Sequence, residues 1–222
     1  MTGESESTDS VLYRLQPIYN RYVRPHLPRK VREYNGVAVR DRALLDQTPS
    51  YPDFEAESVR QLTDAVEAGD SVAIVGGGRG VTAVYAVQSG ADDVRIFEAA
   101  REYVDLARDT AARNGVGDCV AVEHAVVGDA VDLWGDAAGA HRVAAADLPD
   151  CDVLELDCEG AEVGILESLG PRPRSLVVEC HPAFGAPVAD VRDALPGEYR
   201  VAETVVDEYD DLPVLRAERE DA

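Results

Sequence analysis

Four short runs carry the residues able to do chemistry. Gly76-Gly77-Gly78-Arg79-Gly80 follows the apolar run Val72–Val75. Glycine permits positive φ and lets a ligand approach bare backbone. Glu98 ends a second apolar run, Val94–Phe97, about 20 residues past the glycines. An acid at that place can accept both hydroxyl protons of a ribose. Asp157-Cys158-Glu159 follows Val153–Leu156, and Glu179-Cys180-His181 follows Ser175–Val178. Strand residues alternate, so an extended chain would point Asp157 and Glu159 the same way. Two close carboxylates raise one pKa, which suits a proton acceptor or a cation site, or they simply favour a helix start. His181 can take a proton from a hydroxyl near neutral pH.

The spacing of the glycines narrows the ligand. A phosphate-binding P-loop needs a Gly-Lys-Ser/Thr ending, and no lysine occurs here. The dinucleotide fingerprint needs a third glycine where Val81 stands, which disfavours a nicotinamide-dependent oxidoreductase. A tight strand–helix turn that binds nothing is the bland alternative.

These runs need a parallel sheet to bring them together. Each lies at the end of a short apolar strand followed by a helical pattern, and ligands of open α/β sheets sit beyond those carboxyl ends. The expected fold is therefore α/β, a doubly wound, mostly parallel seven-stranded sheet. Helices are expected over 54–68, after Gly80, over 100–113 and near 187–195. Cys119–Val122 reads as a strand leading to His124, Ala125 and Val126. A lone histidine there is more often a bystander than a ligand. Tyr199–Val206 and Leu212–Ala217 read as a terminal antiparallel hairpin, with a turn over Asp207–Asp211. Residues 130–147, rich in Ala, Gly and Asp and holding Trp134, show no clear pattern.

Ahead of this unit, residues 1–47 read as an extension and 48–222 as the domain. The acidic residues 1–9 suggest a disordered tail. From Ser10 to His26, Val11, Leu12, Leu15, Ile18, Tyr19, Tyr22 and Val23 share a helical face, and Pro25 and Pro28 end it. Arg14, Arg21, Arg24, Arg29, Lys30 and Arg32 make this the one basic region. It is either the solvated side of a docking helix or a contact surface for a partner. Val31–Leu45 reads as a hairpin turning at Asn35-Gly36. The proline loop 48–53 could cover the site, with Tyr51, Phe54 and Glu55 as candidates to face a ligand.

Composition bounds the rest. The 222 residues carry a net charge of −22, and Lys30 is the only lysine. With 45% of residues hydrophobic, this is no disordered acidic chain. Acidic surface with almost no lysine suggests adaptation to very high salt, as in a halophilic archaeon. The charge repels nucleic acid at ordinary salt, though molar salt, with a Debye length of about 3 Å, would screen that. No apolar stretch is long enough to span a membrane, and the polar N-terminus is not a signal peptide, so a cytoplasmic protein is expected. Cys119, Cys151, Cys158 and Cys180 form no C-x-x-C pair; three of them lie within or beside apolar runs, where a cysteine is usually a small core residue, and no metal ligand set is assigned.

In order and spacing, Val-Gly-Gly-Gly-Arg-Gly-Val-Thr-Ala-Val, Ile-Phe-Glu, Leu-Glu-Leu-Asp-Cys-Glu-Gly-Ala-Glu and Val-Val-Glu-Cys-His-Pro resemble the FkbM family of class I S-adenosylmethionine-dependent methyltransferases. The stretch Leu154–Glu162 is the most specific, and the likeness covers about residues 50–217. The resemblance implies methyl transfer from S-adenosylmethionine to a hydroxyl of a small-molecule or glycan acceptor. It implies that Gly76, Gly78 and Gly80 pass the cofactor's amino-acid end and Glu98 its ribose. It also implies that Ala125 and Val126 flank the adenine, and that Asp157, Glu159 and His181 face the methyl and the acceptor. Many such enzymes carry an acid two residues before the first glycine. Ile74 stands there, so Glu55 or Asp157 must bind the amino group, or binding is weakened. The competing readings are a non-catalytic methyltransferase-like binding module and an RNA methyltransferase gripping with the basic N-terminal helix.

Overall fold

The structure, a computed structural model, describes residues 16–46, 51–128, 136–208 and 210–220. The expected tail, the start of the N-terminal helix, part of the proline loop and Trp134 lie outside these residues.

A central sheet of eight strands runs in the order β6-β5-β4-β3-β7-β8-β10-β9. The strands are β3 (Ser71–Val75), β4 (Asp93–Glu98), β5 (Val120–Val127), β6 (His141–Val143), β7 (Val153–Leu156), β8 (Ser175–Glu179), β9 (Tyr199–Val206) and β10 (Pro213–Arg219). The strands β3 to β8 pair in parallel, and β10 runs antiparallel to both β8 and β9. The terminal hairpin is thus an antiparallel edge, as expected. The eighth strand, β6, is the addition. Three residues long, it pairs with Ala125–Val127 from within the stretch whose sequence showed no pattern.

Helices cover both faces because the strands are apolar on both. Val72, Ile74, Val94, Ile96, Val153 and Val177 bury against α1 (Ala56–Ala65), α2 (Val81–Ser89) and α3 (Arg101–Arg113) through Leu62, Ala83, Ala86, Val104 and Ala107. Their alternates Ala73, Val75, Leu154, Leu156, Leu176 and Val178 bury against α4 (Glu162–Glu167) and α5 (Val188–Ala194) through Ile165, Leu166 and Val191. Each fully buried Val, Leu or Ile contributes about 1.5–3 kcal/mol relative to exposure.

Two further contacts position the site. The hairpin β1 (Arg29–Tyr34) and β2 (Val37–Ala43) turns at Asn35 and Gly36, both at positive φ, as a tight two-residue turn requires. It lies across α2 and α3, where Tyr34, Val37 and Val39 meet Val81, Val84 and Leu106. The α1 N-terminus has no capping side chain of its own. Buried Asp207, at the β9–β10 turn, supplies one by accepting the Glu57 N–H at 2.7 Å. That contact fixes Glu55, which enters the helix at φ +49°.

The N-terminal segment departs from expectation. Tyr19–Val23 winds as a π-helix and Arg24–His26 as a 3-10 turn. Ile18 and Tyr22 are 55% and 61% exposed, so the described part of the apolar face does not bury. No helix among the described residues is long and apolar enough to cross a membrane.

Candidate functional site

The carboxyl ends of β3, β4, β5 and β7 open into one cleft, at the place where strand order reverses between β3 and β7. Its cavity volume is about 200 Å3, below the range of about 300–1,000 Å3 typical of small-ligand sites. Of the residues singled out in the sequence, Glu55, Gly76, Gly78, Glu98, Ala125, Val126, Asp157 and Glu159 line it. Gly80 and His181 are not among its walls.

The glycines act differently. Gly76 has φ +87°, and a Cβ there would lie 1.7 Å from the Asp157 carbonyl oxygen, so β7 can leave the sheet only past a bare backbone. Gly80 has φ +77°, and a Cβ there would lie 3.1 Å from the Ala107 Cα of α3, so the bare backbone lets the two helices seat closely. Gly78, at φ +46°, has no atom nearer than 4.0 Å to its Cβ position, because that position faces open space.

Glu98 is buried, 6% exposed, at the tip of β4. Its carboxylate accepts the Gly78 N–H at 3.0 Å and the Ala100 N–H at 2.7 Å. Burial raises its pKa, and those backbone donors offset only part of the rise. Arg79 also lines the cleft; its guanidinium lies over the rings of Tyr34, Phe54 and Tyr103 and 3.6 Å from Asp41. Tyr51 and Phe54 do not face the cleft. They stack and edge against Tyr34 at 5.2 and 4.9 Å, so these two rings serve packing. His124 bonds the Ala99 carbonyl at 3.0 Å.

The chain does not stay extended after β7, which corrects the alternation expected for Asp157 and Glu159. It turns at Glu159 (φ +52°) and Gly160 (φ +106°) before α4. The turn is closed by Glu162, whose carboxylate accepts the N–H groups of Cys158 (3.1 Å) and Gly160 (2.8 Å). Asp157 and Glu159 still both reach the cleft, by the turn rather than by pleating.

His181 lies behind Asp157, 5% exposed. Its Nδ1 is 2.7 Å from Glu162, and its Nε2 is 3.5 Å from both Asp157 and Glu179. Burial alone would lower the imidazole pKa. The Glu162 hydrogen bond and the charges of Glu162, Glu179 and Glu159 outweigh it, and the pKa rises. Glu179 is pushed up to about 7, by burial first and then by Asp210 and Asp207, against the Ser58 hydroxyl bond at 2.8 Å and His181. Burial and neighbouring carboxylates raise Asp157 and Glu55 well above the usual range.

Sequence reasoning assigned no role to Glu162, Glu179, Glu155 or Arg79. Glu162 closes the quoted Asp-Cys-Glu-Gly-Ala-Glu run and Glu179 adjoins His181, so both carried a signal. Glu155, mid-strand and pushed up to about 8 by burial, carried none.

No protein-family model and no curated protein sequence matches the chain. Its fold is similar to that of a ribosomal protein L11 methylase from Lactobacillus delbrueckii subsp. bulgaricus, with TM-score 0.52 and 16% identity over 78% of this chain and 89% of that one. It is similar also to magnesium protoporphyrin IX methyltransferase from Synechocystis PCC 6803 with bound SAM (TM-score 0.52, 17% identity, 74% and 77% covered). A third likeness is to TrmN from Thermus thermophilus (0.50, 18%, 74% and 48%). At these identities the likeness establishes the fold, the Rossmann-like α/β sheet that these methyltransferases share.

Proposed function

We propose that the protein is an S-adenosylmethionine-dependent O-methyltransferase of the FkbM type, acting on a hydroxyl of a small-molecule or glycan acceptor. The observation that carries this reading is the single cleft joining the glycine turn and Glu98 to Asp157 and Glu159. Its carboxylates suit a donor that bears a sulfonium and an ammonium. The residues fit the donor, because the Gly78 Cβ position is open and Glu98 sits beside it. The catalytic unit of this reading spans 48–222, with 1–47 as an extension.

In this reading Gly76 and Gly78 pass the amino-acid end, Gly80 seats the helix, and Glu98 accepts the ribose hydroxyls. Ala125 and Val126 flank the adenine. Glu55 takes the ammonium in place of the acid absent at Ile74, and Arg79 takes the carboxylate. S-adenosylmethionine supplies an electrophilic methyl group, so the protein's tasks are to position and to deprotonate. Asp157 faces the cleft with a raised pKa and accepts the hydroxyl proton. His181 stands behind it and shares that proton's charge with Glu162 and Glu179. Glu159 orients the acceptor.

Calorimetric titration of S-adenosylmethionine into the full chain tests the donor. Saturable one-to-one binding is expected, and its absence from folded protein would end the transferase reading in favour of a binding module. Labelled donor with a cell extract, followed by product identification, tests the acceptor class. Label arriving in RNA would displace the hydroxyl of a small molecule.

A further inference from the structure

We infer that Asp157, Glu179 and His181 form a binding site for a divalent metal ion, of the zinc or manganese kind. One ligand atom from each lies within 4.8 Å of the others. His181 Nε2 stands 3.5 Å from Asp157 Oδ1 and 3.5 Å from Glu179 Oε1. That is long for a hydrogen bond, whose usual range ends near 3.2 Å. It is the separation of two ligands on one ion, since metal–ligand bonds of about 2.1 Å at tetrahedral angles place them about 3.4 Å apart.

The surroundings are those of a metal centre. Metal-bound histidines commonly give their other ring N–H to a carboxylate, which fixes the tautomer. Here His181 Nδ1 lies 2.7 Å from Glu162, itself fully buried and held by two backbone N–H groups. Ser58 donates to Glu179 Oε2, which leaves Oε1 for the ion. Glu155, two residues before Asp157 on β7 and 2% exposed, has an oxygen, Oε2, with no hydrogen-bond partner. Its charge acts on Glu55 and Asp157. Asp157, Glu162 and Glu179 thus surround one imidazole, Glu55 and Glu155 add their charge at Asp157, and a bound cation balances them.

The donor set selects the ion. One imidazole and two carboxylates suit Zn2+ or Mn2+, whereas Mg2+ prefers oxygen ligands and keeps its waters. Three protein ligands leave a position open, and Asp157 turns that side toward the cleft. The ion site stands on side-chain geometry; its use to hold an acceptor hydroxyl rests on the transferase reading above.

The experiment is titration of Mn2+, and separately Zn2+, into the intact metal-free chain without methyl donor, read by calorimetry and by manganese paramagnetic resonance. One ion per chain with micromolar affinity is expected. E179Q and H181Q should each weaken it at least tenfold while circular dichroism stays native. Mn2+ should broaden the His181 ring resonances before those of His26, His124 and His141, which keeps the test decisive if a variant does not fold. A folded wild type with no saturable site for either ion overturns the inference. Unchanged affinity in folded E179Q and H181Q overturns it too, as does absence of broadening at His181. Donor binding, measured apart, separates the two claims: metal without donor leaves this site standing and sinks the transferase reading, and donor without metal does the reverse.

Discussion

Gly76 and Gly78 lie two residues apart in one turn, and substitution should affect them in different ways. At Gly76 a Cβ meets the Asp157 carbonyl, and both the strand end and the turn must move. Gly76→Ala should therefore cost more than about 2 kcal/mol in urea unfolding, beyond what an unfavourable φ alone imposes. Gly78→Ala carries only the φ penalty, about 1–2 kcal/mol. Its methyl group projects into open space, so the larger loss should appear in S-adenosylmethionine affinity. At Glu98 the expected outcome is again in binding. A hydrogen bond to a charged group contributes about 1.5–3 kcal/mol, so Glu98→Gln should weaken the donor roughly 10- to 100-fold by calorimetry. If affinity is unchanged, Glu98 only braces the Gly78 and Ala100 amides it already holds.

Among elements, the β1–β2 hairpin bears most directly on the cleft it flanks. Asp41 of β2 accepts hydrogen bonds from Arg32 and from the Tyr34 hydroxyl and faces Arg79 of the glycine turn, with its side chain 7% exposed. Burial alone would raise its pKa. Tyr34, Arg32 and Arg79 together outweigh burial and hold it below the ordinary carboxylate value. A depressed carboxylate pKa contributes stability that is present above the unfolded pKa, about 4. That stability is lost as pH falls through the folded value. Asp41→Asn should cost about 3–5 kcal/mol at pH 7, as removal of one partner of a buried pair does. It should also shrink the acid limb of a stability–pH curve measured by urea unfolding from pH 7 to 2. An acid limb identical to wild type would show that the cluster is not what couples the hairpin to the glycine turn. The hairpin itself was readable, since Asn35-Gly36 names its turn and Val37 and Val39 alternate. Its seat on α2 and α3 was not, because exposed and buried faces of an isolated hairpin look alike until a helix covers one.

For the whole molecule the governing quantity is charge. A net charge of −22 on 222 residues, with one lysine, strains the folded state by self-repulsion at low salt. At molar salt the Debye length is about 3 Å and that repulsion is screened. The unfolding temperature should therefore climb by several degrees or more between 0.1 and 3 M KCl. A flat profile would remove salt adaptation as the reason for the composition. The basic N-terminal region stands against this background. Arg24 pairs with nearby Asp46, whereas Arg29 reaches Glu102 of α3, so part of its charge ties the N-terminal residues to the central sheet's helices.

The sequence alone determined seven of the eight strands of the central sheet, the glycine turn and the acids at the strand ends. Buried strands announce themselves by apolar runs, and a turn that needs positive φ by its glycines, and both signals lie within a few residues. The tertiary structure decided how the acids are grouped. His181 meets Glu162 because β8 lies beside β7 in a register that sets Val178 against Leu156, and because the chain after β7 folds back at Glu159, a residue whose type does not advertise φ +52°. Likewise, Ile18 and Tyr22 have helical spacing, yet whether they meet a partner surface depends on where the rest of the chain goes. Spacing along the chain fixes what each residue can do; contacts between distant segments, set by register and packing, fix which neighbours it acts with.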